Sequence, residues 1–157
     1  MAAPLKTRGY AHRVDVRARA ATVWEALTVE PYLRRWMNPD ARIKARVGGS
    51  FYGMPAPGLV RDALIDVFDA PRRLRLIYLP PADLEAFDGA VVDDYLLEES
   101  GAETIVRLLG SGIPDLREWD DYYRQVRNAQ ERSLARLTVL AAQLQGSRAG
   151  LAPGKSS

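Results

Sequence analysis

Hydrophobic and polar positions divide the chain into three regimes. From Tyr10 to Ala18 they alternate, with His12, Val14 and Val16 on one side and Arg13, Asp15 and Arg17 on the other, which predicts a strand with one wet face. Thr22-Val23-Trp24-Glu25 has the spacing of a capping box, so a short helix through Val23, Trp24 and Leu27 is expected next. Pro31 suits the first turn of a second short helix carrying Leu33, Trp36 and Met37, and Pro39 ends it near Asn38.

Between Arg42 and Gly112 the period shortens to two. The runs predict strands at 42–47, 50–54, 59–68, 74–79, 91–98 and 104–110, separated by Gly48-Gly49, Pro55 to Gly58, Pro71, Pro80-Pro81 and Ser100-Gly101. Short turns between successive strands give an antiparallel meander. From Asp115 to Leu144 the spacing becomes three-and-four: Leu116, Trp119, Tyr123, Val126, Leu134, Leu137, Leu140, Ala141 and Leu144 form one stripe. A long amphipathic helix must bury that stripe, and the sheet is the partner of sufficient size. The expectation is an α+β domain over residues 10–145, with a flexible N-terminus at 1–9 and a disordered Gly/Ser/Pro tail at 146–157.

Composition removes chemistry more than it adds any. The 157 residues include no cysteine and a single histidine, His12, which excludes thiolate and multi-histidine metal sites and a cysteine nucleophile, so neither metal nor cofactor is expected. Basic and acidic residues, 22 and 20, are interleaved along the chain, unlike the basic face of a nucleic-acid binder. No run approaches the ~20 apolar residues of a membrane span, so no membrane insertion and a cytoplasmic location are expected.

Five motifs in this order resemble one family. Val23-Trp24-Glu25-Ala26-Leu27, Leu33-Arg34-Arg35-Trp36, Val47-Gly48-Gly49-Ser50-Phe51, Ala70-Pro71-Arg72-Arg73-Leu74 and Gly101 to Leu108 are similar to the SRPBCC (START-like) superfamily, in its branch of activator of heat-shock-protein ATPase homologues. The resemblance implies a helix-grip fold: a curved antiparallel sheet, two short helices after the first strand, and a long C-terminal helix that the sheet wraps. It also implies a cavity between sheet and helix that accepts an apolar small molecule. Two positions depart from the family pattern, Gly110-Ser111-Gly112 where a histidine often precedes Ser-Gly, and Asn128-Ala129-Gln130 where Gly-Trp is common.

Polar side chains on inward parity are the candidates for such a cavity, because burying them is costly unless they pair or meet a ligand. Asp93 shares a face with Val91, Tyr95 and Leu97; Arg61 shares one with Ala63, Ile65 and Val67; Tyr78 shares one with Leu74 and Leu76. Asp93 and Arg61 either meet each other or bind a polar ligand group, unless each reaches water at a strand end. His12 is either a rim residue with a hydrogen-bond partner or a ligand-positioning donor. Trp119 and Tyr123, beside Tyr122 in the first turns of the long helix, are core or cavity lining in equal measure. Leu84 and Phe87, in the long connection from Pro80 to Ala90, can close over a ligand as a lid.

Three functions follow. The first is binding of a small apolar or amphipathic molecule between sheet and helix. The second is a polyketide cyclase-, dehydratase- or hydrolase-like enzyme using Arg61, Asp93, Tyr78 or His12 in the same cavity. The third is a co-chaperone-like protein-interaction module. A monomer or, through an exposed sheet edge, a homodimer is expected.

Overall fold

The computed structural model describes residues 5–150. In chain order it contains β1 (Thr7–Val16), α1 (Ala20–Thr28), α2 (Glu30–Trp36), β2 (Arg42–Ile43), β3 (Ser50–Gly53), β4 (Arg61–Asp69), β5 (Arg73–Tyr78), β6 (Val91–Ser100), β7 (Glu103–Pro114), a 3-10 turn (Arg117–Trp119) and α3 (Asp120–Gly150). The seven strands form one antiparallel sheet in the order β1-β7-β6-β5-β4-β3-β2, so the meander from β2 to β7 is completed by β1 pairing with β7. The α+β class and the element order are as the hydrophobic pattern predicts, and the helix-grip architecture is as the family resemblance implies.

The core lies between the sheet and one stripe of α3. Val126, Ala129, Leu134, Leu137 and Ala141 of α3 are almost wholly inaccessible, as are Phe51, Ile65, Leu76, Tyr95, Val106 and Leu108 of the sheet. The two short helices close one end, where Trp36 donates its indole N–H to the Ala26 carbonyl at 2.7 Å. Burial of each large apolar side chain there stabilises the fold by roughly 1.5–3 kcal/mol.

Several boundaries differ from the sequence expectation, each for a local reason. The strand expected at 42–47 stops at Ile43, because the amides of Arg46 and Gly49 bond back to the carbonyls of Lys44 and Arg46 in a tight turn. β4 begins at Arg61 because the Leu59 amide closes a turn onto Ala56. β7 runs on to Pro114 through Gly112, whose φ of +83° and position 1.9 Å (as a virtual Cβ) from the Ala90 carbonyl admit only glycine.

The ends also differ. β1 starts at Thr7, inside the segment expected to be flexible at 1–9, and α3 continues to Gly150, inside the tail expected to be disordered at 146–157. That last turn has a partner: Arg148 binds Glu25 and the Thr22 hydroxyl of α1. Residues 1–4 and 151–157 lie outside the described residues.

Thr22 is not a cap. It sits inside α1, donating its hydroxyl to Gln145, while Arg19 at the N-cap position makes no side-chain capping bond. Glu99 at the end of β6 accepts from the Ala20 amide at 2.8 Å, and Gln145 accepts from the Arg19 amide at 3.0 Å. The free N–H groups at the start of α1 are therefore satisfied from β6 and from the far end of α3.

Candidate functional site

β4, β5 and β6 present inward side chains at positions fixed by the two-residue period, and this brings Arg61, Tyr78, Asp93 and Tyr95 together beneath α3. Arg61 and Asp93, 3% and 0% exposed in their side chains, form an ion pair with Arg61 Nη1 2.9 Å from Asp93 Oδ2. Two further donors converge on the same carboxylate. The Tyr10 hydroxyl donates to Oδ1 at 2.5 Å, and Gln130 Nε2 on α3 donates to Oδ2 at 2.8 Å. Asp93 is thus met by β4, β1 and α3 at once.

Arg61 is held on its other sides as well. Its guanidinium lies over the Tyr78 ring at 3.6 Å, and its Nε donates to the Tyr122 hydroxyl at 3.3 Å. Burial opposes the Arg61 charge, and the surrounding Tyr78, Asp93, Tyr10 and Tyr122 outweigh it, so the guanidinium stays charged with a pKa above its ordinary value. Burial pushes the hydroxyls of Tyr10, Tyr78 and Tyr95 upward, reinforced by the Asp93 charge and only partly offset by Arg61, which keeps all three protonated.

Of the atoms in this cluster, Arg61 Nη2 and Gln130 Oε1 are buried without a hydrogen-bond partner among the described residues. Both residues line a small internal space with Met37, Gly53, Pro55 and Tyr78, whose volume is about 10 Å³. In the region between sheet and helix where a cavity is expected, the aromatic rings, the ion pair and Gln130 take up most of the room. Larger concavities lie outside, along the first turns of α3. One of about 680 Å³ runs over Leu59, Leu79, Pro80, Leu84 and Tyr122. A second, of about 400 Å³, shares Leu59, Asp121 and Gln125 with it and is edged by Ala56 and Pro57. Pro55 lines the inner space, and Ala56, Pro57 and Leu59 line the outer ones.

The remaining candidates divide. Trp119 is 1% exposed and makes edge contacts with Phe87 and Tyr122, ring centroids 5.4 Å apart in both cases. Phe87 and Leu84 are half-buried, Phe87 against Trp119 and Leu84 along the outer groove. Tyr123 turns away from the cluster and donates its hydroxyl to the Gly9 carbonyl at 2.7 Å. His12 stacks on the Tyr10 ring, and its Nε2 lies 2.9 Å from the Arg127 carbonyl, so it packs beside the cluster without touching Asp93.

Two members of the cluster were not among the sequence candidates. Tyr10 shares the parity of His12, Val14 and Val16, a signal that was present. Its ring needs Gly110 opposite: a virtual Cβ there falls 2.3 Å from Tyr10 Cζ. Gln130 lies on the buried stripe of α3, four residues from both Val126 and Leu134, and a polar residue on an apolar stripe is the trace it leaves.

A seven-stranded antiparallel sheet gripping one long helix, with a polar cluster at its centre, defines a START-like domain. The chain belongs to the family of activator of Hsp90 ATPase homolog 1-like proteins, whose family model matches residues 17–142. Solved structures with the same fold include protein MLL2253 from Mesorhizobium loti, 18% identical with a TM-score of 0.73, covering 87% of this chain and 98% of that one. They also include the Aha1 dimer from Colwellia psychrerythraea, 17% identical with a TM-score of 0.69, covering 83% and 93% respectively. DynU16, described as a putative protein in the dynemicin biosynthetic locus, is 18% identical with a TM-score of 0.64, covering 83% of this chain and 45% of its own. No curated protein matches the sequence. Among the described residues no helix is long and apolar enough to cross a membrane.

Proposed function

We propose that this protein is a cytoplasmic binder of a small amphipathic molecule, with the apolar body of the ligand along α3 and its polar end directed toward Arg61. The family and fold support a ligand-binding domain in general terms. The observation that carries the reading further is Arg61 itself: a buried guanidinium with Nη1 on Asp93, Nε on Tyr122, and Nη2 free to take an acceptor. The Tyr122 hydroxyl joins that inner group to the outer groove, whose volume of about 680 Å³ falls within the roughly 300–1,000 Å³ of small-molecule sites. Leu59, Leu79 and Leu84 supply the apolar part of a groove that Asp62, Asp83, Glu118 and Asp121 also line, and Leu84 is its lid, with Phe87 packed on Trp119 behind it.

Catalysis in the same place draws on the same groups and is less well supported. Three donors already occupy Asp93, leaving about one of the roughly four lone-pair positions of a carboxylate to receive a substrate proton. The three buried tyrosines hold their protons rather than accept one.

Native mass spectrometry of the protein purified from its own host tests the reading. A discrete retained small molecule is expected in the wild type and is lost in Leu84→Arg, which puts a charge in the apolar wall while leaving the inner cluster intact. A wild type that carries no adduct, or an adduct unaffected by Leu84→Arg, refutes this site.

A further inference from the structure

We infer that a second copy of this chain packs antiparallel along the exposed face of α3, about a twofold axis between Gln125 and Asn128, with Asp121 of each copy facing Arg132 of the other. The inference goes beyond the binding function proposed above and does not depend on it.

α3 is buried against the sheet along one stripe only. On its other side Asp121, Gln125, Asn128, Arg132, Ala135 and Val139 are exposed and succeed one another by alternate steps of four and three residues. That is the spacing of a seam along which one helix meets another, and it runs for about 27 Å. Setting Asp121 opposite Arg132 of an antiparallel copy also sets Gln125 opposite Asn128, so two pairs of amides meet at the axis.

Charge along this face is sorted, and the sorting fixes the direction of the partner. At the start of α3, Asp62, Asp83, Glu118 and Asp121 line the outer groove, and among the described residues no basic side chain lines it. Further along, Arg136 and Arg35 of α2 line a groove of about 380 Å³ in which no acidic side chain takes part. Among the described residues Asp62, Asp83 and Glu118 form no ion pair, and neither do Arg35, Arg132 and Arg136. Arg136 donates only to uncharged oxygens, among them the Trp36 carbonyl and the Ser133 hydroxyl. Burial and the nearby Arg132 charge both hold its pKa below the ordinary value, so this end of the face is short of negative charge.

A parallel copy sets like ends together. An antiparallel copy brings each acidic end against a basic one, twice over, and because the contact is isologous the assembly closes at two chains. Asp121 also binds Arg124 on its own helix, and a carboxylate has room for a second guanidinium. Apolar contact accompanies the charges: Val60 and Leu79 are exposed at the acidic end and Val139 at the basic end. The second copy thereby brings Arg132 to the rim of the outer groove, where Asp121 stands.

Sedimentation velocity of the full chain tests the inference. At about 100 μM the wild type is expected to be dimeric in about 20 mM salt and largely monomeric in about 500 mM, since contacts between exposed charges are screened. Asp121→Lys and Arg132→Glu each set like charges face to face and are each expected to weaken dimerisation at least roughly tenfold. An equal mixture of the two variants restores opposite charges at both contacts, so a heterodimer of about wild-type affinity is expected, a recovery that misfolding of either variant does not produce. A wild type that stays monomeric in low salt overturns the inference. So does a dimer that neither substitution weakens, which then uses another surface such as the β1 edge. Two weakened variants whose mixture remains monomeric overturn the pairing of Asp121 with Arg132.

Discussion

At the scale of single residues, the Arg61–Asp93 pair is the most consequential feature of the molecule. Removing one member of a fully desolvated ion pair leaves the other charge uncompensated, at a cost of about 3–5 kcal/mol, whereas replacing both by apolar side chains costs much less. Arg61→Met and Asp93→Leu are each expected to lower stability by about that amount, and the double variant by less than their sum. Urea unfolding of the four proteins measures this; additive losses would show that the pair does not act as a unit. Inward parity brought Arg61, Asp93, Tyr78 and Tyr95 to notice because β5, β6 and β4 as far as Ile65 keep a regular two-residue period, which β4 loses in the register shift before Val67. Gln130 carried a weaker signal, since one polar residue does not interrupt the stripe of α3. The need for glycine at 110 is invisible in sequence, because the ring it accommodates belongs to a strand 100 residues earlier that only the β1–β7 pairing brings alongside.

At the scale of elements, α1 shows how a local rule yields to a distant partner. The Thr22–Glu25 spacing is correct for a capping box, yet the helix starts at Ala20, two residues before that threonine, with Glu99 as the acceptor at its first turn. Glu99 lies 79 residues away, so no local reading could have proposed it. Its hydrogen bond to Arg19 and its bond from the Ala20 amide hold its carboxyl below the ordinary range. A carboxyl group with a lowered folded-state pKa stabilises the protein above its unfolded value of 4.5, and the contribution is lost as the pH falls through the folded value. Glu99→Gln is therefore expected to lower the urea midpoint at about pH 7 and to differ little from wild type at about pH 3. Equal deficits at both pH values would rule out this ionised contact. The same end of the molecule explains why α3 outruns its apolar stripe: Gln145 and Arg148 continue the helix by bonding to α1, a polar reason that periodicity does not record.

At the scale of the whole molecule, three tyrosines from β1, β5 and β6 link stability to alkaline pH. Burial raises Tyr10, Tyr78 and Tyr95 in the folded state, while in the unfolded chain a tyrosine ionises near pH 10. Above that value the unfolded state binds fewer protons than the native one, so stability is fully present below about pH 10 and falls as the pH rises further. Unfolding at a fixed urea concentration, scanned upward from about pH 8, is expected to coincide with tyrosinate absorbance from these residues. Tyr78→Phe should reduce the absorbance change that accompanies unfolding. Ionisation of the three groups well before the fold is lost would contradict their burial.

The contacts of Trp119 give the molecule an optical property of its own. Its ring is held edge-on between Phe87, from the connection between β5 and β6, and Tyr122, whose hydroxyl carries Arg61. Trp24 and Trp36 belong to the two short helices at the other end of the core. Movement of Phe87 or of Tyr122 therefore changes the surroundings of one of the three indoles and leaves the other two as a steady background, so the emission spectrum of the unlabelled protein reports on the packing of the connection between β5 and β6 against α3.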